Sequence, residues 1–274
     1  ASDQPQPWAI AVHAGTVYWT NDGDGTVMKR GPQDPQPIQL ASGQADPRGI
    51  AAGDSAGSPA VIWTSYSNGT VMVQVGDGPA VQVATGQAGP MGITGSGTTA
   101  YWVIFDGGDV ESMNVDLQGA TLATGQSSPH GLAIDADSLY WTNFGDGTVR
   151  SIALSGGLPA ATVATGQTNP RGIAADGAAV YWVNQFDGRV MRTILATMQE
   201  EEIYGDQPGP WDLAVDVDEA TVYWTNRDTG TIQKIAIGGN AQPTVIASDQ
   251  ATPFDIALDA THVYWVNFAG GTVM

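Results

Sequence analysis

Seven times along this chain a Trp is followed six residues later by a Gly: Trp19/Gly25, Trp63/Gly69, Trp102/Gly108, Trp141/Gly147, Trp182/Gly188, Trp224/Gly230 and Trp265/Gly271. Such constancy means one structural unit copied seven times. The surrounding string is clearest in Pro129-His130-Gly131-Leu132-Ala133-Ile134-Asp135, then Leu139-Tyr140-Trp141-Thr142-Asn143, then Asp146-Gly147-Thr148-Val149, then Val163-Ala164-Thr165-Gly166-Gln167. The copies open at Pro7, Pro47, Pro90, Pro129, Pro170, Pro210 and Pro253, a period of 39 to 43 residues. That range belongs to a β-propeller blade rather than a helical repeat. Repeats bury their apolar faces only against neighbouring repeats, so residues 1–274 are expected to form a single propeller domain.

Within a repeat, three or four short β-rich runs alternate with turn residues, and none shows the 3.6-residue period of an amphipathic helix. The first run, such as Gly172-Ile173-Ala174-Ala175, is small and apolar, as the crowded strand beside a propeller axis requires. The second carries Tyr-Trp, whose bulk fills the space between splayed blades. Asp146-Gly147, Asn68-Gly69 and Asp187-Gly188 supply hairpin turns into the third run. The fourth ends in Ala-Thr-Gly-Gln and lies outermost. The expected fold is therefore all-β, a seven-bladed propeller of four-stranded antiparallel blades. Its closure is legible at the ends. Gly271-Thr272-Val273-Met274 stops at a third strand, while Ala1-Ser2-Asp3-Gln4 copies the fourth-strand tail Ala247-Ser248-Asp249-Gln250. Both ends should meet in one composite blade, removing the free edges of an open ring.

Antiparallel order puts the start of strand one, the end of strand two and the following hairpin on one face. Two positions there vary while their surroundings repeat, which marks sites the fold does not dictate. The residue after the opening Pro reads Trp8, Arg48, Met91, His130, Arg171, Trp211 and Phe254. The residue three after the repeated Trp reads Asp22, Tyr66, Phe105, Phe144, Gln185, Arg227 and Phe268. These form an inner and an outer ring around the channel mouth. Grouped aromatics suggest an interaction site, and three Arg offer planar donors for a carboxylate or sulfate. The plain alternative is that the rings only pack hairpin on hairpin.

Charge narrows the partners. Lys and Arg number 9 against 28 Asp and Glu, a formal net charge of −19. That field repels phosphate backbones, so nucleic acid is not expected as a partner. No run approaches the ~20 apolar residues of a membrane span, and membrane insertion is not expected either. The chain has no Cys, which excludes disulfides and thiolate chemistry. Ala1 begins directly in repeat-like sequence, so any export signal is expected to be absent or removed.

Other chemical candidates are weaker. Of the three His, only His130 falls at the mouth; His13 and His262 belong near the opposite face. Asp135, Asp176, Asp216 and Asp259 end strand one at equal offsets, where Asx turns account for them. Asp22-Gly23-Asp24-Gly25 is a fragment of a calcium loop without its later acidic ligands, and reads as a hairpin. Glu200, Glu201 and Glu202 would blunt an outer strand edge. The inner ring shows one His and no carboxylate, so no catalytic residue, metal site or cofactor is assigned.

The string Tyr-Trp-Thr-Asn preceded by Pro-x-Gly-Ile-Ala-x-Asp resembles the YWTD β-propellers of lipoprotein-receptor ectodomains across all seven repeats. The resemblance implies an extracellular, non-catalytic binding module and, with the acidic surface, an extracytoplasmic location. Two departures stand out. The family's final Asp is Asn at Asn21, Asn143, Asn184, Asn226 and Asn267, Ser at Ser65 and Ile at Ile104. The family closes with six blades, whereas seven copies are present here. The first functional reading is a module binding a protein or glycan through Trp8, Arg48, Tyr66, Met91, Phe105, His130, Phe144, Arg171, Trp211, Arg227, Phe254 and Phe268. A propeller enzyme of the lyase or lactonase type, working at the channel mouth, is the alternative, and a structural or assembly domain the third.

Overall fold

The computed structural model describes residues 1–274 apart from 97, 115, 157–158 and 239–240. Seven antiparallel sheets, each hydrogen-bonded in simple chain order from the axis outward, form the blades of a propeller. The innermost strands are Pro7–His13, Pro47–Ser55, Pro90–Ser96, Pro129–Ile134, Pro170–Ala175, Pro210–Asp216 and Pro253–Leu258, one per repeat. Six blades have four regular strands; the seventh has three, ending at Thr272–Val273. Its fourth position is filled from the other end of the chain. The Ala1 amine donates to the Val273 carbonyl at 2.6 Å, Val273 N donates back to Ala1 O at 2.8 Å, and Gln4 N donates to Gly271 O at 2.9 Å. The predicted composite blade thus forms, with a fourth strand too short to be regular.

The Trp side chains at the second-strand position are sealed between blades. Trp63, Trp141, Trp182 and Trp224 have no measurable exposure, and only Trp265, beside the two-residue strand, is half-buried. A buried indole N–H needs an acceptor. The Gln ending each outer tail supplies it to the next blade: Trp141 Nε1 donates to Gln126 Oε1 at 3.0 Å, and the same bond forms from Trp19 to Gln4, Trp63 to Gln44, Trp102 to Gln87, Trp182 to Gln167, Trp224 to Gln207 and Trp265 to Gln250. The same Gln also engages the Asn two residues after the Trp. Asn143 Nδ2 donates to Gln126 Oε1 at 3.1 Å, as Asn21, Asn184, Asn226 and Asn267 do to their own Gln. A carboxylate has no proton to give there.

The hairpin Gly sits beneath that Gln. At Gly147, φ is 68°, and an added Cβ would lie 2.0 Å from Gln167 O, so both conformation and space demand glycine. Between blades the core is continuous; Tyr140 and Val149 of the fourth blade pack with Ile173, Val180 and Trp182 of the fifth. At the far end of strand one, the Asx turns form as expected. Asp135 Oδ1 accepts from Asp137 N and Ser138 N, and its Oδ2 accepts from the Tyr140 hydroxyl; Asp176 and Asp259 repeat the pattern. Asp24 Oδ1 accepts from Thr26 N and Oγ1, the hairpin role foreseen for that segment.

Candidate functional site

Each inner strand begins with a β-bulge, and the bulge builds the site. Pro129 pairs with Asn143 and Leu132 with Trp141, so His130 and Gly131 together oppose the single residue Thr142. The same shift occurs in all seven blades. A bulge re-aims side chains and tightens local twist. Where the opposing residue is Thr, its hydroxyl locks the distortion. Gly131 N donates to Thr142 Oγ1 at 3.0 Å, and that hydroxyl donates to Arg171 O of the next blade at 2.7 Å. Thr20, Thr64 and Thr225 make equivalent links to Arg48 O, Met91 O and Phe254 O.

Both predicted rings lie at this end and touch. Trp8 packs edge-on to Trp211, Phe254 and Phe268 with centroids 6.2, 4.9 and 5.7 Å apart. Trp211 stacks on Phe254 at 4.3 Å, and Phe254 on Phe268 at 4.8 Å. Arg48 covers Trp8 at 3.7 Å, while Arg171 lies 3.9 Å and Arg227 5.1 Å from the Trp211 ring. Across the mouth, Phe105, His130 and Phe144 form a second aromatic group with centroids 6.2 to 6.4 Å apart, and Arg171 spans to Phe144 at 4.7 Å. Tyr66 donates to Asp106 Oδ2 at 2.8 Å, and Asp22 pairs with Arg48 at 3.5 Å. Met91 lines the channel below. Trp211 and Phe254, only 8% and 5% exposed, are packing residues as much as rim residues; the others are half-buried.

His130 does not behave as an exposed acid or base. Burial, and then the Arg171 charge, push its pKa down to about 3. The imidazole is neutral at physiological pH, with Nε2 2.8 Å from Arg171 Nη1. His13 and His262 lie on the opposite side, as expected, the first with its Nε2 3.1 Å from Asp54 Oδ1 and the second with its Nδ1 2.7 Å from the Thr261 hydroxyl.

The structure corrects one reading outright: the channel does hold paired carboxylates. Asp212 and Asp255 line the same cavity of about 230 Å³ as Trp8, Arg48, Met91, His130 and Trp211. They occupy the second bulge position, which is Gly at Gly49, Gly92, Gly131 and Gly172 and Ala at Ala9. The sequence signal was there, one residue beyond the inner ring, in a frame that otherwise stays small. Each Asp reaches across a blade seam: Ile10 N donates to Asp255 Oδ2 at 2.8 Å, and Ile256 N to Asp212 Oδ2 at 3.2 Å. Their carboxyls touch the cavity yet are packed round by protein. Burial first, and repulsion from Asp255 second, raise the Asp212 pKa well above the usual carboxylate range; burial raises Asp255 too, against hydrogen bonds from Asp212, Ile10 N and Ile256 N. Both carboxyls are therefore biased toward the protonated form, Asp212 the more strongly.

Sequence reasoning also missed Phe186, 84% exposed in the hairpin beside Gln185 on the mouth side. A separate apolar cavity of about 280 Å³ opens between the second and third blades, lined by residues such as Ala51, Ile62, Ala100 and Met113. It includes no ring residue. Among the described residues no three His, Cys, Asp or Glu converge as a metal site, and no helix is long and apolar enough to cross a membrane.

The fold and this mouth define the class: a seven-bladed β-propeller with an aromatic and guanidinium layer over an axial cavity. No family model and no curated protein matches the sequence. Solved structures do match in fold. A catalytically inactive virginiamycin B lyase from Staphylococcus aureus, solved with quinupristin, superposes with a TM-score of 0.83 at 16% identity, covering 98% of this chain and 94% of that one. Hydrazine synthase of Kuenenia stuttgartiensis gives 0.84 at 14% identity, covering 100% and 96%. A nidogen/laminin complex gives 0.63 at 20% identity, covering 73% and 81%. At these identities the likeness is one of fold.

Proposed function

We propose that this propeller is a non-catalytic binding module that takes a protein or glycan ligand at the channel mouth, in an extracytoplasmic setting. One observation carries the reading. Side chains from all seven blades converge into a single aromatic and arginine layer, most of it half-buried, on a scaffold latched blade to blade by Gln and Thr. Half-buried aromatics beside guanidinium groups are the anchors that binding surfaces concentrate, and rigid support lowers the entropy lost on binding. The fold likeness to a propeller in a complex with laminin is consistent with this use. The test is binding of the purified protein to arrayed glycans and immobilised extracellular-matrix proteins, comparing wild type with Trp8→Ala and Phe268→Ala. Loss of binding in both variants, with folding retained, supports the mouth as the site; unchanged binding refutes it.

A second reading is favoured by the Asp212/Asp255 pair. A carboxyl pair with raised pKa values in a cavity can serve as acid and base, and the fold neighbours include lyases. Turnover of quinupristin by wild type, lost in Asp255→Asn, would select the enzyme over the binding module. No turnover, with binding intact, leaves the module.

A further inference from the structure

Cations are scarce on this chain, 9 against 28 acidic residues, yet three of the nine meet at the mouth. Elsewhere Lys29, Arg189 and Arg192 each face a carboxylate within 4.0 Å. At the mouth Arg48 has Asp22 at 3.5 Å. Arg171 differs: among the described residues no carboxylate lies within salt-bridge distance of it. Its Nε donates to Gln185 Oε1 at 2.5 Å and its Nη1 meets the neutral His130 at 2.8 Å. Its Nη2 has no hydrogen-bond acceptor among the described residues. Arg227, on the same Trp211 ring, reaches only Asp228, at 4.0 Å, and its guanidinium makes no hydrogen bond there. Two like charges therefore share one aromatic plate without a counter-ion between them. Burial, then Arg227, lower the Arg171 pKa to about 10, which still leaves it charged at neutral pH.

Arg171 and Arg227 are both half-buried, so water solvates their charges only in part, and a guanidinium cannot relieve like-charge repulsion by losing its proton. Such an arrangement persists where an external anion supplies the missing partner. We propose that Arg171 and Arg227 form an oxyanion-binding subsite, so that the ligand of the mouth carries a carboxylate or sulfate group. This rests on the mouth being a binding site and names the chemistry it recognises. Arg171 Nη2 and the Arg227 guanidinium furnish the donors, in the planar geometry that suits a two-oxygen anion. Phe144, Trp211 and Gln185 hold Arg171 in place beforehand, and neutral His130 adds no negative charge that would compete.

The experiment is a calorimetric titration of the purified protein with sodium sulfate at constant ionic strength, balanced with sodium chloride, on wild type, Arg171→Gln and Arg227→Gln. Sulfate also stabilises proteins generally by exclusion, but that effect is unsaturable and common to all three proteins. The expected result is saturable binding to wild type, weaker by roughly tenfold or more in each variant, since a charge-assisted hydrogen bond is worth about one decade of affinity or better. Circular dichroism of each variant establishes folding, and Arg227→Gln, at a half-exposed position, keeps the test valid if Arg171→Gln does not fold. Glucuronate and N-acetyl-aspartate, titrated in the same way, tell a sugar-borne from a peptide-borne carboxylate by which binds more tightly. Absence of saturable anion binding, or binding unaltered in the variants, overturns the subsite. Were a neutral glycan or a protein still held through Trp8 in that event, the binding module would stand and the anion site alone would fall.

Discussion

Replacing Gln126 by Leu removes one latch and nothing else of similar size. Gln126 Oε1 accepts from Trp141 Nε1 at 3.0 Å and Asn143 Nδ2 at 3.1 Å, while its own Nε2 donates to Thr124 O at 3.0 Å. Trp141 is fully buried and Asn143 2% exposed, so water cannot replace the lost acceptor. An orphaned buried donor costs ~1–3 kcal/mol. The indole N–H bears that in full, whereas Asn143 keeps Thr148 Oγ1 at 2.9 Å and loses less. The sum is ~2–4 kcal/mol, which for a domain of this size lowers Tm by roughly 3–7 °C. Calorimetry and urea unfolding followed by Trp fluorescence measure it. A cycle with Trp141→Phe isolates the bond: without the indole N–H, Gln126→Leu should cost ~1–2 kcal/mol less. A Tm within about 2 °C of wild type, or strict additivity in the cycle, would show that the latch contributes nothing and that apolar packing alone fixes the blades.

The remaining expectations follow from the same geometry. Asn143→Asp should destabilise by ~1–3 kcal/mol because the carboxylate faces an acceptor, and chemical denaturation checks it. Gly131→Ala puts a Cβ 2.4 Å from the Arg171 carbonyl of the next blade and should cost ~1–3 kcal/mol or more, read as a lower urea midpoint. Trp211→Ala should cost ~3–5 kcal/mol, and half-buried Trp8→Ala distinctly less; equal losses would contradict the burial difference. For the carboxyl pair, raised folded-state pKa values mean stability that is full below about pH 4, the unfolded carboxylate range, and is lost as pH rises through the folded values. Asp212→Asn removes the Asp212 part of that titration and leaves Asp255's. Its Tm relative to wild type should therefore climb as pH rises above about 4, and a constant offset would refute the raised Asp212 pKa.

The fold was legible because repetition multiplies a weak signal. One blade's pattern of Pro, Tyr-Trp and hairpin Gly is ambiguous, but seven copies at a near-constant period leave few architectures, and the match of Ala1-Ser2-Asp3-Gln4 to Ala247-Ser248-Asp249-Gln250 announced how the ring closes. The fourteen ring residues were placed on one face by strand order alone, since alternation and antiparallel pairing are local rules. Contacts between blades are not local. Gln126 looks like an ordinary outer-strand residue until the next blade brings Trp141 to it, and the Asn two residues after the Trp has no reason until that shared acceptor is seen. Asp212 and Asp255 lie 43 residues apart in equivalent places. Only the curvature of the ring brings neighbouring bulges close enough at the axis for two carboxyls to line one cavity and raise each other's cost of ionising. The same curvature sinks Trp211 and Phe254 into a stack while leaving Arg171 beside Arg227, because how far a side chain is buried at a propeller mouth depends on its neighbours around the ring.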